Sequence, residues 1–138
     1  VAGGKGEGNR LDQLNSPTDV IIDPETDTLL ICDSKNRRVV RWARHPSPHR
    51  HQGKIVVDNI DCWGLTMDRH GSLFVSDTRK HEVRRYEKTN LQKGTIVAGG
   101  RGRGEGLDQL NWPTYLSVDA QSTLYVSDSY NHRVMQWM

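Results

Sequence analysis

LDQLNWPTYLSVDAQSTLYVSDSYNHRVMQW, residues Leu107 to Trp137, holds three short β-patterned runs, Tyr115–Asp119, Thr123–Asp128 and Arg133–Trp137. Turn-forming residues separate them at Ala120–Ser122 and Ser129–Asn131, and each run is too short for a stable helix. The same text occurs twice upstream. Its first copy gives Pro17–Asp23, Leu29–Asp33 and Val39–Trp42, and its second Trp63–Asp68, Leu73–Asp77 and Val83–Tyr86. The aspartates that close the middle runs, Asp33, Asp77 and Asp128, lie 44 and 51 residues apart. Such a period, filled by short strands, predicts an all-β propeller whose four-stranded blades each take one repeat.

Asp128-Ser-Tyr-Asn-His-Arg-Val134 carries an aspartate at a strand end, an Asn-His turn and then an apolar strand. This resembles the signature of NHL repeats. Asp33-Ser-Lys-Asn-Arg-Arg-Val39 matches nearly as well, while Asp77-Thr-Arg-Lys-His-Glu-Val83 has Lys80 in place of the usual asparagine. The resemblance covers essentially the whole chain and implies a segment of a propeller that usually has six blades. The repeats fall at approximately 1–44, 55–88 and 95–138 of a single propeller segment, 1–138. A fold of this kind implies no one function.

Residues 1–17, VAGGKGEGNRLDQLNSP, return at 97–113 as VAGGRGRGEGLDQLNWP. Val-Ala is expected to start an outer strand, the glycines to supply tight turns, and Leu-Asp-Gln-Leu to form one helical turn. Lacking a Lys-Ser/Thr ending and a long helix, the glycine run is not a phosphate loop. The second repeat cuts this connection short between Lys54 and Trp63. Within the strands, Val20/Ile22, Leu65/Met67 and Leu116/Val118 are expected between blades, as are Leu29/Ile31, Leu73/Val75 and Leu124/Val126. Trp42, Tyr86 and Trp137 recur at one phase and are assigned to packing. Three blades cannot close a ring, so the remaining blades of a longer chain, or a second copy, are needed.

The chain has 138 residues, 34% of them hydrophobic, a net charge of +2 and no apolar run long enough to span a membrane. It begins at Val1 with no signal-peptide pattern and reads as a fragment or processed chain, leaving its compartment open. Cys32 and Cys62 are expected as two small buried thiols, with a bridge in a secreted parent as the alternative.

Asp33, Asp77, Asp128 and the aspartates ending the first strands, Asp23, Asp68 and Asp119, suit Asx turns, because a short carboxylate accepts backbone N–H groups there. Repetition in every blade argues for architecture over acid–base chemistry. Four residues after each middle-strand aspartate stand Arg37, His81 and His132. In the peptidyl-hydroxyglycine amidating lyases, propellers that resemble this one, histidines at this repeat position from different blades converge on a catalytic zinc. The resemblance therefore offers His81 and His132 as metal candidates, although Arg37 breaks the series. His45-Pro-Ser-Pro-His-Arg-His51 reads as a flexible surface loop.

Arg37, Arg38, Arg79, Lys80 and Arg133 are expected to form a basic rim on the turn face, and some NHL propellers bind single-stranded RNA there. The aromatics, assigned to packing, give that reading little support. The preferred expectation is a non-catalytic scaffold without a cofactor, binding a protein or peptide through Arg37, Arg38, Arg79, Lys80, His81, His132 and Arg133. A zinc-dependent lyase is the alternative and RNA binding the third reading.

Overall fold

The computed structural model describes residues 1–49 and 51–138. Eleven strands form three antiparallel sheets, each meandering in chain order. The first comprises β1 (Pro17–Asp23), β2 (Thr28–Asp33), β3 (Arg38–Ala43) and β4 (Lys54–Asp58). The second comprises β5 (Cys62–Met67), β6 (Leu73–Asp77), β7 (Glu82–Glu87) and β8 (Asn90–Gly99). The third has three strands, β9 (Pro113–Val118), β10 (Leu124–Asp128) and β11 (Arg133–Trp137). These are blades 1, 2 and 3 of a partial propeller. Their first strands, β1, β5 and β9, pack as neighbours in that order. Among the described residues, no helix is long and apolar enough to cross a membrane.

Alternation sorts the strand side chains between two interfaces. Leu30, Cys32 and Val39 of blade 1 meet Leu65, Leu73, Val75 and Tyr86 of blade 2. Phe74 and Val83 leave the opposite face of blade 2 to meet Leu124 and Val126 of blade 3. Leu65, Leu73, Val75, Leu124 and Val126 thus lie where the sequence puts them. Val20 and Ile22 belong to the same phase but are 54% and 51% exposed, since no other sheet of the described residues covers that face. Trp42 shares that face and is nevertheless buried. Its ring meets His51 edge-on at 5.7 Å, and the Gly53 backbone closes over it. His51 and Gly53 therefore shield a tryptophan; Arg50, in the His45–His51 segment, lies outside the described residues.

The sequence text at Val1-Ala2 does not form the expected strand, and Leu11–Leu14 and Leu107–Leu110 form turns, not helices. The glycine loops fold back on themselves, with Glu7 bridged to Leu14 and Arg103 to Leu110. Loop 100–112 drops Leu110, fully buried, between blades 2 and 3. Between blades 1 and 2 that loop is missing. Ile60 fills the apolar place, and a Cys32–Cys62 disulfide joins β2 to β5, replacing the expectation of two free thiols. The physical reason is proximity: the short 59–61 connection starts β5 with its first residue against the end of β2, with Cα atoms 5.9 Å apart.

Each blade is irregular at the same place, where its first two strands pair across a register shift. In blade 2 the shift falls around Gly64, whose N–H donates to Ser76 Oγ at 2.8 Å. Ser76 Oγ in turn donates to the Thr114 carbonyl of blade 3 at 2.6 Å. A Cβ on Gly64 would stand 2.2 Å from that carbonyl oxygen. Gly64→Ala is therefore expected to cost roughly 2 kcal/mol or more, because the obstacle is strand backbone; a melting temperature equal to that of the parent would refute the close approach. The disulfide encloses a separation of 30 residues. Reduction, or Cys32→Ala with Cys62→Ala, is expected to lower stability by about 3 kcal/mol in denaturant titration.

Candidate functional site

The turn face is built by the segments that follow β2, β6 and β10 together with the loops leading into β1, β5 and β9. Its framework is the repeated aspartate. Asp33 Oδ1 accepts the Asn15 N–H at 2.7 Å, and Asp128 Oδ1 accepts the Asn111 N–H at 2.6 Å. Each Oδ2 takes an asparagine Nδ2, from Asn36 or Asn131, at 2.8 Å and an arginine Nε, from Arg38 or Arg133, at 2.7 Å. The same asparagines donate to Gly8 O and Gly104 O. The arginines donate to Asn9, Arg10 and Gln13 carbonyls in blade 1, and to Glu105, Gly106 and Gln109 carbonyls in blade 3.

Arg38 and Arg133 are consequently bolts through the glycine loops and not the rim cations that the sequence suggests. The Arg38 side chain is 6% exposed and that of Asp33 fully buried, so the pair is satisfied internally. The aspartates ending the first strands do make Asx turns: Asp68 Oδ1 accepts from His70 and Ser72, and Asp119 Oδ1 from Gln121 and Thr123.

Blade 2 departs from this plan. With no glycine loop before β5 there are no loop carbonyls to hold, and Lys80 and Glu82 stand where the other blades have asparagine and arginine. Asp77 Oδ1 accepts the N–H groups of Arg79 and Lys80 at 3.0 and 2.9 Å. Burial, with nearby Asp61 and Glu82 adding to it, pushes the Asp77 carboxyl above the ordinary aspartate value, against the pull of those two backbone bonds. Glu82 is buried and pairs with Arg84 at 2.6 Å.

Arg37, His81 and His132 share a left-handed backbone, with φ of 53°, 54° and 55°. This conformation closes the turn, and a non-glycine residue pays for it unless other contacts hold it there. Arg37 reaches into the next blade, donating Nε to Asp61 at 3.0 Å. His81 does likewise, its Nδ1 accepting the Trp112 N–H at 3.0 Å. The repeat position is a clasp from one blade to the next. At this position Arg37 is a cation in an ion pair, and a neutral His81 that accepts at Nδ1 carries its proton on Nε2. Among the described residues, no group of three or more His, Cys, Asp or Glu side chains is placed to hold a metal ion.

Arg79, Lys80 and His132 remain exposed on the turn face. Beside them lies a feature that the sequence reading did not identify. Trp112 and Tyr130 stack, with ring centroids 5.4 Å apart and planes within 10°, and Tyr130 is 61% exposed. Tyr130 is positioned by its N–H bond to the Asn111 carbonyl. The only sequence signal was an aromatic in a turn that is Lys35 in blade 1 and Arg79 in blade 2.

No family model matches the chain. Among solved structures it is similar to a Bacteroides thetaiotaomicron protein of unknown function, at TM-score 0.76 and 12% identity, over 96% of this chain and 37% of the other. A gluconolactonase from Xanthomonas campestris matches at TM-score 0.66 and 19% identity, over 84% of this chain and 36% of the enzyme. An auxiliary nutrient binding protein from Bacteroides thetaiotaomicron matches at TM-score 0.64 and 13% identity, over 86% and 36%. The chain thus spans little more than a third of the length of these structures, and the likeness at such identities defines its fold alone.

Burial, and then the charge of Arg103, lowers the His81 pKa below the usual histidine value, against the opposing pull of Asp77 and Asp128. The unfolded chain therefore takes this proton more readily than the folded one. The His81 contribution to stability is complete above the unfolded value of about 6.5 and is lost as pH falls through the lower folded value. Urea titrations from pH 7.5 to 5 are expected to show this loss, and His81→Asn, which suits the left-handed turn, to flatten it. An unchanged slope in the variant would remove His81 as the proton acceptor.

Proposed function

We propose that this chain is an NHL-type propeller segment acting as a non-catalytic scaffold for a protein or peptide ligand bound on its turn face. The observation that carries this reading is the Trp112–Tyr130 stack, with Tyr130 exposed and Trp112 half-buried, set on a turn held by backbone bonds and followed by the exposed His132. A rigid aromatic pair with a polar hydroxyl rim suits a binding anchor, since tyrosine and tryptophan supply much contact area at little entropic cost. The NHL assignment is supported by the work its signature residues do. Asn36 and Asn131 tie the aspartate to the glycine loop, which accounts physically for the Asp-x-x-Asn spacing.

Catalysis finds less support, because Arg37 and His81 are spent on blade-to-blade bonds. RNA binding loses Arg38 and Arg133 from its rim, leaving fewer cations for phosphate contacts. The exposed apolar residues at the two ends, Val20 and Ile22 on blade 1 and Tyr115 and Val134 on blade 3, support covering by further blades of a longer chain or by a second copy. The disulfide supports an oxidising compartment.

Peptides selected from a random display library on the immobilised, disulfide-bonded chain provide the test. Selected peptides are expected to lose about tenfold or more in affinity on Tyr130→Ala, the loss typical of an aromatic anchor. Equal binding to that variant would overturn the assignment of the face. Tight homopolymeric RNA binding with a steep salt dependence, and no peptide capture, would replace the reading with the nucleic-acid one.

A further inference from the structure

A cavity of about 300 Å³ opens between blades 1 and 2, lined by Asp58, Asn59, Asp77, Lys80, Arg84 and Tyr86 among others. It lies beside Asp77, where the other two blades receive a glycine loop. The equivalent aspartates, Asp33 and Asp128, each hold an arginine Nε on Oδ2 at 2.7 Å, while the fork of that arginine bonds carbonyl oxygens. Asp77 has neither partner. It is 1% exposed and lines the cavity, and its Oδ2 accepts no hydrogen bond among the described residues.

We propose that this cavity binds the guanidinium of an arginine side chain presented by a partner peptide, with Asp77 as its counter-charge. The chain itself displays the chemistry twice, in the Arg38–Asp33 and Arg133–Asp128 pairs. In blade 2 the intramolecular donor is replaced by Glu82, which adds a carboxylate and neutralises Arg84 at the cavity wall. Asp58 and Asn59 offer further acceptors for a planar fork, and Tyr86 lines the same cavity. An anion would meet the buried Asp77 carboxylate, whose ionised form is already disfavoured by burial and by Asp61 and Glu82. A cation relieves that load. Arginine is favoured over lysine because a flat, five-donor group satisfies several acceptors at once.

The test is calorimetric titration of the disulfide-bonded chain with agmatine and with N-acetyl-arginine methylamide at pH 7.5. Saturable binding is expected, at least tenfold weaker for N-acetyl-lysine methylamide and at least tenfold weaker in Asp77→Asn. Glu82→Arg restores the arginine of the sister repeats, fills the site from within and is expected to abolish binding; it keeps the proposal testable if the Asp77 variant fails to fold. No saturable binding to the parent chain, equal affinity in folded Glu82→Arg, or preferential binding of inorganic phosphate would overturn the assignment. These small probes report on the cavity alone, so their outcome is independent of peptide capture at Tyr130.

Discussion

The buried carboxylate at the end of each second strand is the constraint on which the remainder depends. In blades 1 and 3 a single aspartate accepts the N–H that ends the glycine loop, the amide of the turn asparagine and the Nε of the arginine that opens the third strand. A loop 17 or 18 residues upstream is thereby fixed to the same point as the turn and the strand start, three and five residues downstream. Because the charge is removed from water, each of these bonds is costly to break, so the loop, the turn and the strand start are held as a unit. The left-handed residue that follows can then be aimed at the next blade, as Arg37 is; in blade 2, where Asp77 holds its turn by two backbone N–H groups, His81 reaches blade 3.

Adjacent blades are sealed by two different means. Between blades 2 and 3 the seal is a leucine delivered by a long loop, with Ser76 Oγ stitching Gly64 to Thr114 behind it. Between blades 1 and 2 the loop is absent and a covalent bridge stands with Ile60 in its place. Loss of the loop also removes the reason for an arginine and an asparagine in the turn. Lys80 and Glu82 thus stand where no loop carbonyls need a donor.

Much of this was legible in the sequence because it repeats. The β1 strand runs from Pro17 to Asp23 as read, β6 from Leu73 to Asp77 and β11 from Arg133 to Trp137, since alternation and turn chemistry are local signals. The burial of Tyr86 and Leu73 followed from phase, whereas that of Trp42 depends on His51 and Gly53. What was illegible depends on contacts between segments without a common period. Arg38 and Arg133 look like surface cations in a turn, and only the fold-back of a loop more than twenty residues upstream turns them inward. Trp112 and Tyr130 occur together in one repeat only, so no recurrence announced their stack. The disulfide was open from sequence, because two cysteines without a framework carry no geometry.

The unequal seals also divide the molecule into parts that open at different rates. Blades 1 and 2 are held by a cross-link that persists when their packing loosens, whereas blade 3 is retained by side-chain contacts and hydrogen bonds alone. Cooperative units of this kind melt in order of their local free energy. Hydrogen exchange in the oxidised chain should thus spread inward from β11 and β10, with β2 and β5 among the last amides to yield. The first two blades are thus expected to be the lasting nucleus of the segment.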